Sequence, residues 1–155
     1  MDAQKELRAH LRELLAGESA HIALEKVLAE FPTDKINERL ENAPHSGWEL
    51  LEHIRIAQWD ILEFSRDAKH VSPDFPVGYW NKKEGTAEDW KKSVETVLNE
   101  LQAIRDLIAD EKNDLFAPIP HGDGQTLLRE ALVVADHNSY HLGQLAFLMK
   151  ALQNK

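Results

Sequence analysis

Cysteine does not occur among the 155 residues. Its absence excludes a disulfide framework, a thiolate metal site and a cysteine nucleophile, and leaves His, Asp and Glu as the available metal ligands. Proline is sparse, and its six copies fall in three short regions: Pro32 and Pro44, Pro73 and Pro76, Pro118 and Pro120. Because proline is costly inside a helix, these regions mark connections, and the segments between them are free to be helical. Sustained period-two alternation is missing too. No Asn-Gly or Asp-Gly turn joins two such runs, so nothing reads as a hairpin; Asp123-Gly124 is followed by a helical pattern. Positive charge is in deficit, 18 Lys and Arg against 27 Asp and Glu for a formal net charge of −9. Such a balance argues against a nucleic-acid surface, whose affinity rests on neutralising phosphates. A long apolar run is also lacking: residues 131–149 come nearest and are interrupted by Asp136, His137 and His141, too polar for a membrane span. Residues 1–8 are charged from Asp2 onward and lack the apolar core of a secretory signal. The expected setting is cytoplasmic, and the expected partner is a small molecule rather than nucleic acid or membrane.

What is present is helical periodicity. A chain of this length buries enough surface for one unstapled core, here taken as a single domain over 1–155. Residues 4–31 are broken at Gly17, with Ser19 placed to cap a restart, and predict two shorter helices in series. Ser46-Gly47-Trp48-Glu49 is a capping box opening a helix that runs to about residue 68. Leu50, Ile54, Ala57, Ile61 and Phe64 form its inward stripe. Residues 86–109 follow, with Trp90, Val94, Val97, Leu101, Ile104 and Ile108 inward. Residues 126–152 close the set, with Leu127, Ala131, Val134, Leu145, Leu148 and Met149 inward. Amphipathic stretches of this length bury one another as an all-α four-helix bundle with an interrupted first helix. The connection over residues 69–85, between the second and third members, is longer than a tight turn needs and carries Phe75-Pro76-Val77-Gly78-Tyr79-Trp80. It is either a loop packed over the core or the wall of a pocket.

Eight histidines are present. His137 and His141, four apart in the last helix, point only about 40° apart and can share a metal. Chance supplies about 0.4 such pairs in a chain of this composition, so the pair needs a third ligand. His53 lies at the margin of the stripe on the second long helix, as the pair does on its own. Residues at such edges converge where two helices face each other. Three neutral imidazoles from two helices make a facial tripod with coordination positions left open.

The segment Glu52-His53-Ile54-Arg55-Ile56-Ala57-Gln58-Trp59-Asp60-Ile61 is followed far along the chain by Ala135-Asp136-His137-Asn138-Ser139-Tyr140-His141-Leu142-Gly143-Gln144-Leu145. Together they resemble the DinB/YfiT-like superfamily of small helical bundles, and the likeness covers essentially the whole chain. It implies that His53, His137 and His141 bind one divalent metal ion, commonly nickel or zinc, with water completing the shell. It further implies a metal-dependent enzyme, with transferases or isomerases using a low-molecular-weight thiol among the relatives, and a homodimer as a frequent assembly; apart from the resemblance, a His-only shell permits hydrolysis by an activated water as well. Neither substrate nor catalytic residues follow from it. Weighed against this is a non-catalytic helical protein whose metal is structural or adventitious and which acts through dimerisation or partner binding.

Other constellations are weaker. The zinc-protease motif His-Glu-x-x-His is absent, and a di-iron bundle needs two Glu-x-x-His units where only Glu18-Ser19-Ala20-His21 fits. His121-Gly122-Asp123 imitates part of an iron triad, although Asp123 suits turn or cap chemistry better. His21, expected just inside the restarted helix, is a candidate to line the pocket. Glu49, Asp60 and Glu130 are candidates to orient an imidazole or transfer a proton, set against plain surface carboxylates. Asn138 lies nearly mid-stripe and is expected to be hydrogen-bonded inside the bundle. Gly143 sacrifices helix propensity and suits close approach of another helix or subunit. Tryptophan and tyrosine are expected mainly in core or interface.

Overall fold

The computed structural model describes residues 2–17 and 20–154. Five α-helices follow one another: α1 (Ala3–Ala16), α2 (Leu24–Glu30), α3 (Gly47–Arg66), α4 (Ala87–Ala109) and α5 (Leu127–Gln153), with a short 3-10 turn at Val77–Tyr79. Among the described residues there is no strand, only an isolated bridge between Pro118 and Thr126. None of the helices is long and apolar enough to cross a membrane.

Local chemistry sets the helix ends. Asp2 accepts from the Gln4 N–H at 3.0 Å to open α1. Gly17, at φ +72°, closes it by donating to the Leu14 carbonyl, in a left-handed conformation that costs glycine little. The restart comes later than the sequence predicts: Ser19 lies outside the described residues, and α2 begins at Leu24 with no side-chain cap. Only packing holds so short a helix, and Leu24, Val27 and Leu28 are all buried. His21 consequently sits on the connection, not inside a helix. The capping box of α3 forms as expected, Ser46 Oγ accepting from the Glu49 N–H and Glu49 Oε2 from the Ser46 N–H. Capping boxes of the same kind open α4, between Thr86 and Asp89.

α3 lies against both α4 and α5, while α1 packs on α4 and α5 and α2 on the same two helices. Two apolar clusters result. One joins α2 to Leu50, Leu51 and Ile54 of α3, Trp90 and Val97 of α4, and Leu142, Leu145 and Leu148 of α5. The other joins Leu11 and Leu15 of α1 to Leu62, Ile104, Ile108, Val134 and Ala135. Because α3 has neighbours on two sides, its buried arc is wider than one stripe. Leu51, Gln58 and Leu62 are almost wholly buried, while the predicted Ile61 and Phe64 are only half-buried. Asn138 is buried as expected, donating to Gln58 Oε1 at 2.9 Å, and Gln58 donates to the Val97 carbonyl at 2.7 Å. This amide chain crosses from α5 through α3 to α4 between the two apolar clusters.

Residues 69–85 do not simply cover the core. Phe75 is 87% exposed and Val77 70%. The connection is pinned at its far end, where the Trp48 indole N–H donates to the Lys83 carbonyl and Asn37 bonds both the N–H and the carbonyl of Gly85.

Two predictions follow from these contacts. A Cβ at Gly47 would lie 2.3 Å from Phe31 Cζ, and Phe31 is buried against Trp90. Gly47→Ala is therefore expected to destabilise by about 1–3 kcal/mol through overpacking, despite alanine's better helix propensity, as read by urea denaturation. Glu100, between α3 and α4, has a buried Oε2 without a partner. Burial, with Glu63 adding repulsion against the pull of Arg55, pushes its carboxyl up to about 7. A carboxyl whose folded pKa is raised contributes stability that is full below its unfolded pKa and lost as pH rises through the folded one. Glu100→Gln is expected to raise the urea midpoint at pH 8 and leave it nearly unchanged at pH 4; equal gains at both would show that ionisation is not the cause.

Candidate metal centre

His53 projects from α3, and His137 and His141 project from α5, so the close packing of those two helices brings the three rings together. One nitrogen of each ring lies within 4.8 Å of the corresponding nitrogens of the other two. The nearest pair, His53 Nε2 and His137 Nε2, is 3.0 Å apart. In a tetrahedral centre with metal–nitrogen bonds of about 2.0–2.1 Å, the ligand nitrogens stand about 3.3 Å from one another. The 3.0 Å pair is close to that spacing, and no separation exceeds 4.8 Å, so a single cation lies within reach of all three rings.

Protonation favours the same use. His53 Nδ1 lies 2.9 Å from the Tyr79 carbonyl, which can only accept, so Nδ1 carries the proton and Nε2 presents a lone pair inward. His141 Nδ1 faces Gln144 Oε1 at 2.7 Å and is held in the same tautomer. Holding the outer nitrogen of a ligating imidazole is what fixes its orientation and basicity. All three rings resist protonation. Burial pulls His137 down to about 4, helped by the neighbouring His141 and His53. Burial likewise lowers His53, against the raising effect of the Tyr79 bond, and lowers His141, against that of Gln144. Near neutrality they are neutral imidazoles, the form that binds metal.

The surrounding wall is aromatic. Trp80 stacks on His53 with ring centroids 3.9 Å apart and planes 3° from parallel, stacks on His45 also at 3.9 Å, and meets His141 edge-on at 6.3 Å. Tyr79 is tied down by its hydroxyl, which donates to Asp60 Oδ2 at 2.5 Å, while His70 Nε2 meets Asp60 Oδ1 at 2.7 Å. Burial and then Asp60 push the Tyr79 phenol up to about 12, so it remains a donor. A cleft of about 840 Å³ opens over the three histidines, bordered by Ala57, Ile61, Val133, Phe75, Pro76 and Tyr140. Its charged members are Asp60 and Arg129. The Tyr79-Trp80 connection is therefore a pocket wall.

Of the carboxylates singled out from sequence, none touches an imidazole of the tripod. Glu49 is engaged in its capping box and with Arg39 at 2.5 Å. Glu130 is buried and pairs with Arg129 at 2.5 Å. Asp60 acts through Tyr79, whose carbonyl receives the His53 proton. The orienting acceptors are instead a loop carbonyl and the Gln144 amide. His21 is exposed, bonded to the Ile22 carbonyl and to Ser139 Oγ, and does not border the cleft. His121 is spent on the Phe64 carbonyl at 2.7 Å, and the Asp123 N–H meets Gln125 in the turn before α5. Glu18 and Ser19, half of the lone Glu-x-x-His unit, lie outside the described residues. Sequence reasoning passed over His45, His70 and Gln144. Gln144 was within reach, three residues beyond His141 on the same helical face. His45 and His70 lie on connections, where no periodicity points to them.

A helical protein with three neutral imidazoles from two helices at the floor of an aromatic-walled cleft has the donor set of a metal-binding protein. The sequence profile of the DinB superfamily matches residues 16–145, and the chain belongs to that superfamily. No curated protein and no solved structure matches it.

If the loop orients His53, loosening the loop must weaken the tripod. Tyr79→Phe keeps the carbonyl but removes the tie to Asp60; metal affinity by chelator competition is expected to fall about tenfold, with the helical circular dichroism unchanged. Unaltered affinity would mean that Trp80 stacking and the Trp48 and Asn37 ties hold the loop without the Asp60 bond.

Proposed function

We propose that this protein is a metal-dependent enzyme in which His53, His137 and His141 hold one divalent cation, nickel or zinc, and a small-molecule substrate enters the cleft above it. The observation that carries the reading is the approach of three neutral ring nitrogens from two helices, with the rear nitrogens of His53 and His141 already committed to fixed acceptors. When bound, the cation supplies a positive centre that lowers the pKa of a coordinated thiol or water.

The chain's own residues do the rest. The Tyr79 carbonyl and Gln144 fix two rings, and Trp80 shields one face of His53 from solvent. Ile61, Val133 and Tyr140 give the cleft an apolar lining that favours a substrate with an apolar body. The absence of cysteine is compatible with a nucleophile supplied from outside, either a low-molecular-weight thiol in a transferase reaction or water in a hydrolytic one. The same reading places α1 and α2 together as the interrupted member of a four-helix bundle spanning 1–155, in a cytoplasmic setting.

The test begins with the untagged protein and its metal content. About one equivalent of metal per chain is expected, lost in His53→Ala while the helical signal persists. Retention of metal by that variant would sink the tripod, whereas collapse of the fold on metal removal would favour a structural ion. Metal-loaded protein should then convert electrophilic acceptors with one of bacillithiol, mycothiol or glutathione, or hydrolyse esters and amides with none.

A further inference from the structure

Beside the cleft over the histidines lies a smaller cavity of about 230 Å³. Leu40 and Ala43 line it from a turn ahead of α3, closed by the Ala43 N–H donating to the Leu40 carbonyl at 2.9 Å. The buried Leu50 and Leu148 line it from α3 and α5, together with the ring of Phe147, which is 70% exposed. Pro44, His45 and Gln144 border this annex and the larger cleft alike, so the two spaces adjoin along those three residues. Gln144 Oε1 faces His141 Nδ1 at 2.7 Å. The annex therefore begins one side chain away from a ring of the tripod.

The chemistry of the lining selects the occupant. Beyond His45 and Gln144 every side chain of the annex is apolar, so a polar group placed there would lose its water and find no partner. The two polar residues stand at the passage with bonding capacity to spare. His45 stacks on Trp80 and forms no hydrogen bond within the described residues. Gln144 spends its carbonyl on His141, and its NH₂ donates to nothing within the described residues. A ligand that crosses from the cleft meets polar atoms at the threshold and apolar surface behind it. The cleft also extends past Pro76 and Trp80 toward Arg39 and Lys82. That direction attracts a charged arm only weakly, because Arg39 is already paired with Glu49 at 2.5 Å and the exposed Lys82 is screened by water and salt.

We infer that this annex is the subsite for a compact apolar arm of the ligand whose head lies over His53, His137 and His141, with a polar atom of the linker against His45 and Gln144. The inference rests on the reading of the tripod as a metal centre and narrows its substrate class to small amphiphilic molecules. Size narrows it further. At about 30 Å³ for a water-sized group, the annex of about 230 Å³ takes about seven such groups, which is a short alkyl chain or a single ring and not a long acyl tail. The exposed ring of Phe147 then gains a partner, since an arm in the annex lies against it.

Alkyl hydroxamates carry a metal-chelating head on an arm of chosen length, and calorimetric titration into the nickel-loaded protein reads the subsite as a gradient of affinity. Burial of each added methylene is worth about twofold to fourfold, so hexanohydroxamate should bind about 16-fold or more tightly than acetohydroxamate. A carboxylate at the end of the six-carbon arm should cancel that gain; tighter binding would send the arm toward Arg39 and Lys82 and overturn the proposal. Ala43→Phe, which fills the annex, and Phe147→Ala, which removes one wall, should each lower the ratio of the two affinities at least about threefold, with circular dichroism checked. A series without a gradient, or a gradient that both variants leave intact, overturns the proposal. Failure of acetohydroxamate itself to bind would instead count against the metal centre, and metal-free protein then decides the annex. There, 1-hexanol at millimolar concentration should shift the Ala43 methyl resonance and leave that of Ala103 in place; an unmoved Ala43 signal overturns the proposal whatever the metal does.

Discussion

The register of α3 against α5 governs the geometry of the site, and one buried amide-to-amide hydrogen bond holds it. Asn138 donates to Gln58 between the two apolar clusters, and Gln58 is anchored in turn on the Val97 carbonyl of α4. Apolar side chains tolerate sliding; a buried amide that loses its partner is left with a desolvated polar group. A slip of one residue would move a helix about 1.5 Å along its axis and turn its side chains by about 100°. His53 would then leave the neighbourhood of His137 and His141. The polar pair costs some packing and fixes one alignment of two otherwise greasy helices.

That division of labour explains what could be read from the sequence. The proline regions, the Ser46 capping box and the helical spacing of α4 and α5 are local signals, and the helices lie where those signals put them. The inward set of α5 was legible because one stripe serves it. The α3 stripe was partly misplaced because two neighbours widen its buried arc, a fact of tertiary packing that periodicity does not hold. The late start of α2 has the same origin, for a seven-residue helix without a cap is made by its neighbours. Within the site, the three histidines were visible as edge residues on two helices. The acceptors that orient them were not, because a carbonyl such as that of Tyr79 has no side-chain signature and His45 and His70 lie on connections. The carboxylates Glu49 and Glu130 lay on the correct faces but were already committed to Arg39 and Arg129.

The connection over residues 69–85 shows how a loop becomes part of a site without a regular structure of its own. Trp48 and Asn37 hold its end, and Asp60 with His70 holds its middle through the Tyr79 hydroxyl. Between those ties the Tyr79 carbonyl meets His53, and the Trp80 ring lies against it. A side chain of α3 thus positions another side chain of the same helix, two turns away, by way of a loop. Of the apolar groups the connection leaves exposed, Phe75 borders the cleft, where an incoming ligand can cover it.

The charge of the centre narrows what such a ligand can be. Three neutral imidazoles contribute no negative charge, so a divalent cation held by them keeps its full +2 within a cleft whose lining is largely apolar. Asp60, the carboxylate bordering the cleft, already accepts from Tyr79 and His70, and Glu130 is paired with Arg129. A low-dielectric surrounding strengthens the attraction of that cation for an anion, while Arg129 at the cleft border repels a second cation. A ligand that is itself anionic, or becomes so by losing a proton on binding, is therefore favoured over a neutral one of the same shape. An acidic chain attracts cations from a distance, and a neutral donor set would leave the charge of a bound ion available to a further ligand.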